Sequence, residues 1–321
     1  MRYPFVSIVG TTACDAHCEF CQRWQEPVAS MDVDLACRKI DELPTVGAKV
    51  VDITGGQPAL WDGLQAAVER CRRNNLRGAV TVSGPSALSI VDWIDKVWRL
   101  RVSVHGTSWE QDELQGPGFY AANLKFLKAA TRRRRAFSTE LVFTIRGGHT
   151  LESFEAVNDL ARKFQARVIC NLEWGLNLND DILRLIHRFR RKPLWVCSLA
   201  KLRYHFRGGN NRLNPTCGAD RMIVMHDNRI VQPCMEYRNK LPSIPLDGGG
   251  LNDLLASPVR QGWSEETGRW DFCQGCTISC PNTLGLLVKC HQRYAAWLHL
   301  PTFGQRIRDE ILQSLALISP S

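Results

Sequence analysis

Six times between residues 5 and 191, a short apolar run rich in β-branched residues gives way to a longer stretch whose apolar side chains recur at helical spacing. Few folds accommodate that rhythm. Runs of the first kind read as strands and stretches of the second as amphipathic helices. The strands are expected at 5–9, 49–54, 78–82, 100–104, 139–145 and 167–171, and the helices at 32–43, 61–74, 86–94, 119–134, 151–164 and 180–191. A helix crossing over between successive strands makes those strands parallel. The expectation is therefore an α/β protein with a parallel sheet curled into an incomplete barrel. Loops that follow the strand C-termini then collect on one face, where functional residues gather.

The first of these loops carries Cys14, Cys18 and Cys21 in the run TTACDAHCEFCQRW. The CxxxCxxC spacing suits three thiolates closing on one iron–sulfur cube. Such clusters are normally held by four cysteines, so a set of three leaves one iron open to a small molecule. A zinc knuckle built from the same thiols would need a fourth ligand close by. His17 is the nearby candidate, and its place between two of the cysteines is awkward for closing a tetrahedron. The second expected strand runs directly into Thr54-Gly55-Gly56-Gln57-Pro58-Ala59-Leu60. Its two glycines permit backbone angles and close approaches that other residues resist.

Together the two loops resemble those of the radical S-adenosylmethionine (radical SAM) enzymes. That family carries this cysteine spacing after its first strand, with an aromatic residue before the last cysteine, here Phe20, and a Gly-Gly-Glu-Pro turn after its second. The resemblance implies a partial (βα)6 TIM-like barrel and a [4Fe-4S] cluster on Cys14, Cys18 and Cys21. It also implies SAM bound against Phe20, Gly55, Gly56, Gln57, Pro58, Ser83 and Ser103. One position departs from the pattern: the family's glutamate, which receives the ammonium group of SAM, is Gln57 here. An amide carbonyl still accepts a hydrogen bond, but without charge assistance the contact is weaker. By the same resemblance His105 would line the substrate cavity, and Thr81, Gly84, Thr144 and Arg146 occupy equivalent rim positions.

After about residue 200 the strand–helix alternation fades into KLRYHFRGGNNRLNPTCGAD, and further cysteine groups appear. Residues 222–225 and 229–231 are expected to pair as a hairpin around Asp227-Asn228, between Cys217 and Cys234. The group Cys273, Cys276 and Cys280 follows about forty residues later. This arrangement resembles the SPASM and twitch extensions of radical SAM proteins. It implies an auxiliary [4Fe-4S] cluster on Cys217, Cys234, Cys273 and Cys276, with Cys280 the substitute for either of the last two. From Cys217 onward there are six cysteines, ending at Cys290, which is too few for two clusters with four ligands each. A zinc ribbon held by four cysteines would use the same spacing. Domains are thus expected at 1–200 (the partial barrel), 201–290 (a small cysteine-rich auxiliary-cluster domain) and 291–321 (a helical tail). Cys37, Cys71, Cys170 and Cys197 read as buried apolar filler.

The chain is 44% hydrophobic and 23% charged, the balance of a packed globular protein. No apolar run is long enough to cross a bilayer, and MRYPFVSIVG lacks the apolar stretch and cleavage site of a signal peptide. A cytoplasmic protein is expected, and in a reducing compartment 13 cysteines point to metal or redox work rather than disulfides. The net charge of +9 is concentrated partly in residues 132–135 and 190–192, at expected helix ends, where exposed carbonyls favour cations. Without a nucleic-acid motif such runs read as solvated helix ends.

The resemblance implies an activity. SAM chelates the open iron, and an electron from an external donor such as flavodoxin or ferredoxin cleaves it reductively. The resulting 5′-deoxyadenosyl radical takes a hydrogen atom from the substrate. Family analogy offers two substrate classes, a peptide or protein side chain and a small polyol or aminosugar, oxidised or modified with help from the auxiliary cluster. The absence of an added recognition segment before Cys14 counts against capture of a leader peptide by a dedicated module. Two alternatives are a radical SAM enzyme acting on RNA or nucleosides, motivated by the net charge, and a cysteine-rich zinc-binding interaction protein without catalysis. Trp174, Tyr204, His205, Arg207 and Tyr237 are candidates for selecting the substrate.

Overall fold

The structure is a computed structural model that describes residues 3–133, 137–173, 175–176, 179–197, 199–215, 217–226, 230–232, 234 and 240–277. The six expected strands form as β1 (Phe5–Thr11), β2 (Val50–Gly55), β3 (Arg77–Val82), β4 (Arg99–Ser103), β5 (Ser138–Ile145) and β6 (Arg167–Leu172). A two-residue strand, β7 (Trp195–Val196), follows β6, and β8 (Met222–His226) pairs with β1. These eight run parallel in the order β8-β1-β2-β3-β4-β5-β6-β7, an open partial barrel. β9 (Ile230–Gln232) and β10 (Ile244–Pro245) continue the sheet antiparallel beyond β8. The two strands of the expected hairpin therefore pair, as a continuation of the barrel sheet, and its Asp227-Asn228 turn lies outside the described residues.

The helices among the described residues are α1 (Val33–Glu42), α2 (Leu64–Arg73), α3 (Ser108–Gln115), α4 (Phe119–Arg133), α5 (Leu151–Phe164), α6 (Asp180–Phe189), α7 (Leu199–Phe206), α8 (Leu251–Ala256) and α9 (Pro258–Glu266). Where a helix was expected at 86–94, Pro85–Lys96 forms a run of 3₁₀ turns. Ile90, Val91 and Ile94 are β-branched there, which lowers the preference for a regular α-helix. α3 was not expected. A capping box fixes its start: the Thr107 hydroxyl accepts from the Glu110 N–H at 3.3 Å, and the Glu110 carboxylate accepts from the Thr107 N–H at 2.7 Å. Asp112 then closes the turn into α4 by accepting from Gly118 N at 3.0 Å and Tyr120 N at 2.7 Å.

Strand side chains alternate between two faces. Val6, Ile8, Val51, Ile53, Val80, Val82, Leu100, Val102, Leu141 and Phe143 share one buried core with Leu35, Ile40, Leu64, Val68, Phe126 and Phe154 of the helices. The other face carries charge. Glu140 is fully buried and receives Arg101 at 3.2 Å, Arg167 at 2.7 Å and Arg99 at 3.4 Å, while Arg101 also reaches Asp52 at 2.8 Å. Burial pushes the Arg99 guanidinium down to about 10, with Glu140 opposing the shift. Beyond the barrel strands, α8 docks on α1: Leu251 N donates to the Glu42 carboxylate, and Lys39 donates to Gly249 O at 2.5 Å. Among the described residues no helix is long and apolar enough to cross a membrane.

Candidate active site

The cysteine loop leaves the end of β1 and is closed at its base by two threonines. Thr12 N donates to Ala29 O at 2.8 Å, and the Thr12 hydroxyl donates to Pro27 O at 2.8 Å while accepting from Ala29 N at 2.7 Å. The Thr11 hydroxyl donates to Ala29 O at 3.1 Å and accepts from Ala13 N at 3.1 Å. Inside this clasp, Cys21 N donates to Cys18 O at 3.0 Å, and the Trp24 indole donates to the same carbonyl at 3.2 Å. His17 packs edge-on against Trp24, with ring centroids 5.0 Å apart. Arg146, at the end of β5, holds the loop through Glu19 at 2.7 Å.

Cys14, Phe20 and Cys21 pack together on a cluster of Ala16, Cys18, Leu114 and Phe119. Cys18 and Cys21 both lie near enough to Cys14 to oppose its ionisation. Burial, the larger cause, and the neighbouring thiols push Cys14 up to about 11. Cys18 is raised by burial against the lowering effect of a hydrogen bond from Gln115. Thiols raised in this way need a cation to hold them as thiolates. Among the described residues no three His, Cys, Asp or Glu side chains converge as a single ion would require. A four-iron cube is a larger body with cysteine as its natural ligand, and the donor set of this loop is all cysteine.

The glycine turn is joined directly to that loop. Gly56 N donates to Thr11 O at 2.8 Å and Gln57 N to Ala13 O at 2.7 Å, so the β1–β2 pairing continues past the strand ends. A side chain on Gly56 would overlap the carbonyl oxygens of Thr12 and Ala13, and one on Gly55, at φ +155°, that of Thr11. Buried Pro58 opens a 3₁₀ turn, Pro58–Leu60. The next residue, Trp61, lies on Gly10 and donates from its indole to Met31 O at 2.9 Å. Gln57 is only 3% exposed, and its amide nitrogen donates to the carbonyl of Ser83.

Ser83 and Ser103 enter a buried polar network that sequence reasoning did not find. The Ser83 hydroxyl donates to the Gln115 side-chain carbonyl at 2.7 Å. Asn123 donates to Ser103 O at 3.0 Å and accepts from Gly84 N at 2.7 Å. Gln111 accepts from His105 N at 2.6 Å, donates to Ser103 O at 3.3 Å and donates to Gln115. Gln115 in turn donates to Cys18 Sγ at 3.5 Å. One signal was available: Asn123 interrupts the apolar spacing of Phe119, Phe126, Leu127 and Ala130 on α4, where a polar residue needs buried partners. His105 faces Phe20 edge-on at 5.6 Å, and complete burial pushes its imidazole down to about 3, so the ring is neutral.

The C-terminal cysteines also come together. Burial raises Cys217, and Cys234, Cys276 and Cys273 all add to the shift; Cys273 rises to about 11 by burial and by Cys276. Asn210 stitches this region, donating to Gly268 O at 2.7 Å and Cys273 O at 3.1 Å from its side chain and to Cys276 O at 2.9 Å from its backbone. Cys276 N donates to Cys273 O at 3.2 Å, the same turn that joins Cys18 and Cys21. Tyr204 donates to Cys276 O at 3.0 Å, the His205 ring bonds Leu176 O at 2.7 Å, and Arg207 is exposed. Cys280, Cys290, Trp174 and Tyr237 lie outside the described residues.

The chain is similar in sequence and in fold to known proteins. The Radical SAM superfamily profile matches residues 8–161. Streptococcus suis SuiB bound to S-adenosylmethionine superposes with a TM-score of 0.63 at 15% identity, over 86% of this chain and 69% of that one. SuiB bound to its precursor peptide SuiA gives 0.65 at 15% identity, over 86% and 70%. Native anSMEcpe with bound AdoMet and a peptide gives 0.60 at 12% identity, over 81% and 83%. At these identities the superpositions establish a shared fold. No curated relative matches the sequence.

Proposed function

We propose that the protein, whose residues 8–161 match the Radical SAM superfamily model, is an enzyme that reductively cleaves SAM and abstracts a hydrogen atom from a peptide or protein side chain. The observation that carries the reading is the junction of the three-thiol loop with the Gly55-Gly56-Gln57 turn through two backbone hydrogen bonds. Cys14, Cys18 and Cys21 would hold a [4Fe-4S] cluster that, when bound, supplies the electron for C5′–S cleavage of SAM. Around it the chain positions and excludes. The glycine turn presents its backbone beside the loop, the Gln57 carbonyl would accept from the ammonium group of SAM, and Phe20 with neutral His105 forms an uncharged wall against water.

The peptide class rests on shared fold with SuiB and anSMEcpe, structures of which contain bound peptides. Cys217, Cys234, Cys273 and Cys276 would hold an auxiliary cluster in a domain spanning 201–290, beside a barrel of 1–200. A cytoplasmic location and an external one-electron donor such as flavodoxin or ferredoxin complete the proposal.

Anaerobic reconstitution followed by iron, sulfide and zinc analysis tests it. About eight irons per chain, from two four-iron clusters, is the expected result, and zinc without sulfide would overturn the reading. Cys18→Ala should abolish 5′-deoxyadenosine formation from SAM while keeping about half of the iron.

A further inference from the structure

The amide of Gln115 has its orientation dictated by groups whose hydrogen-bonding roles are not interchangeable. The His105 N–H can only donate, and it meets the Gln111 side chain at 2.6 Å; the Ser103 carbonyl can only accept, and it meets the same side chain at 3.3 Å. Gln111, fully buried, is thereby fixed with its oxygen toward His105 and its nitrogen toward Ser103 and Gln115. The nitrogen of Gln111 requires the oxygen of Gln115, and Ser83 donates to that same oxygen at 2.7 Å. Gln115, 4% exposed, is left with its N–H on Cys18 Sγ at 3.5 Å. Its own main-chain carbonyl accepts from His17 N at 3.2 Å, which ties α3 to the cysteine loop at a second point.

On the reading that Cys18 ligates a cluster, the geometry points to Gln115 as the residue that tunes the reduction potential of the three-cysteine cluster, through a fixed N–H···S hydrogen bond. Hydrogen bonds to cluster sulfurs are one of the determinants of iron–sulfur potentials. One electron from the external donor adds negative charge that spreads onto the ligand sulfurs, and a buried donor stabilises the more negative state. No bond forms or breaks at Gln115, and its proton stays on the amide nitrogen. Gln115 is a positioning residue, and its effect belongs to the cluster rather than to the substrate.

The test is an EPR-monitored redox titration of the reconstituted full chain, the N-terminal signal being the one lost in Cys18→Ala. Gln115→Leu removes both functions of the amide, and Gln115→Met keeps the length of the side chain while removing the donor without adding a charge. Both should lower the midpoint, by up to about tenfold in the reduction equilibrium, or about 59 mV for one electron, with iron and sulfide content unchanged. Gln111→Leu, which frees Gln115 to turn, should give a smaller shift of the same sign. Unchanged midpoints in both Gln115 variants, with clusters intact, would overturn the inference. So would loss of the N-terminal cluster from all three variants with the fold retained by circular dichroism, which would make Gln115 an assembly residue. A wild-type chain that takes up no N-terminal cluster would instead remove the functional reading beneath it.

Discussion

The side-chain nitrogen of Gln57 donates to the main-chain oxygen of Ser83, across from the turn after β2 to the end of β3. The resemblance of the glycine turn to Gly-Gly-Glu-Pro presents Gln57 as the loss of a charge. In the folded chain the amide supplies a donor that a carboxylate lacks. Gln57→Glu should therefore destabilise the protein by about 1–3 kcal/mol, the cost of an unsatisfied buried acceptor. Urea unfolding checks it, and a variant as stable as the wild type would show that this bond contributes nothing.

Gly56→Ala is expected to separate the glycine turn from the cysteine loop, because the added carbon overlaps the carbonyl oxygens of Thr12 and Ala13. Overpacking of this kind costs about 1–3 kcal/mol, and here the strain falls on the residues next to Cys14. Thermal unfolding and iron content after reconstitution should both fall. Gly148→Ala, with open space around its added carbon, serves as the neutral control.

Glu140 holds three arginines on the charged face of the sheet, and Arg99 and Arg101 are themselves largely buried. Glu140→Gln removes the one carboxylate that all three share, leaving Asp52 against Arg101, and should cost roughly 3–5 kcal/mol. The expected readout is a lower urea midpoint with an unchanged slope. A loss under 1 kcal/mol would mean that water or Asp52 takes over the role of Glu140.

Three buried histidines make folding sensitive to acid. Burial pushes His105 down to about 3, and His149 and His226 down to about 4, while an unfolded histidine titrates near 6.5. Between those values the unfolded chain binds protons that the native state refuses. Stability is therefore full above about pH 6.5 and declines as the pH falls toward 4, by about 1.4 kcal/mol per pH unit for each histidine. His226→Asn should remove one histidine's share of that slope. A parallel pH profile in the variant would show that His226 titrates in the native protein.

The strands were legible because each is a short β-branched run, and the strand β1 that bears the cysteine loop begins at Phe5, where it was expected. The two cysteine groups were legible from spacing. The residues that connect the site were not. Gln111 and Gln115 lie on α3, whose sequence SWEQDELQ carries almost no apolar stripe and so reads as a polar loop. The Thr107–Glu110 capping pair was the readable sign of that helix. β8 was found as half of a hairpin, but its partner β1 lies more than two hundred residues earlier, and no local pattern specifies a pairing at that separation.

The Thr11–Thr12 clasp has a consequence for how the protein matures. In small zinc domains the metal drives folding, and the apo chain is unfolded. Here the ends of the cysteine loop are tied by hydrogen bonds that involve no thiol, so the entropy of closing it is met by the polypeptide alone. On the proposed function, folding of this loop and delivery of its iron would be separable events.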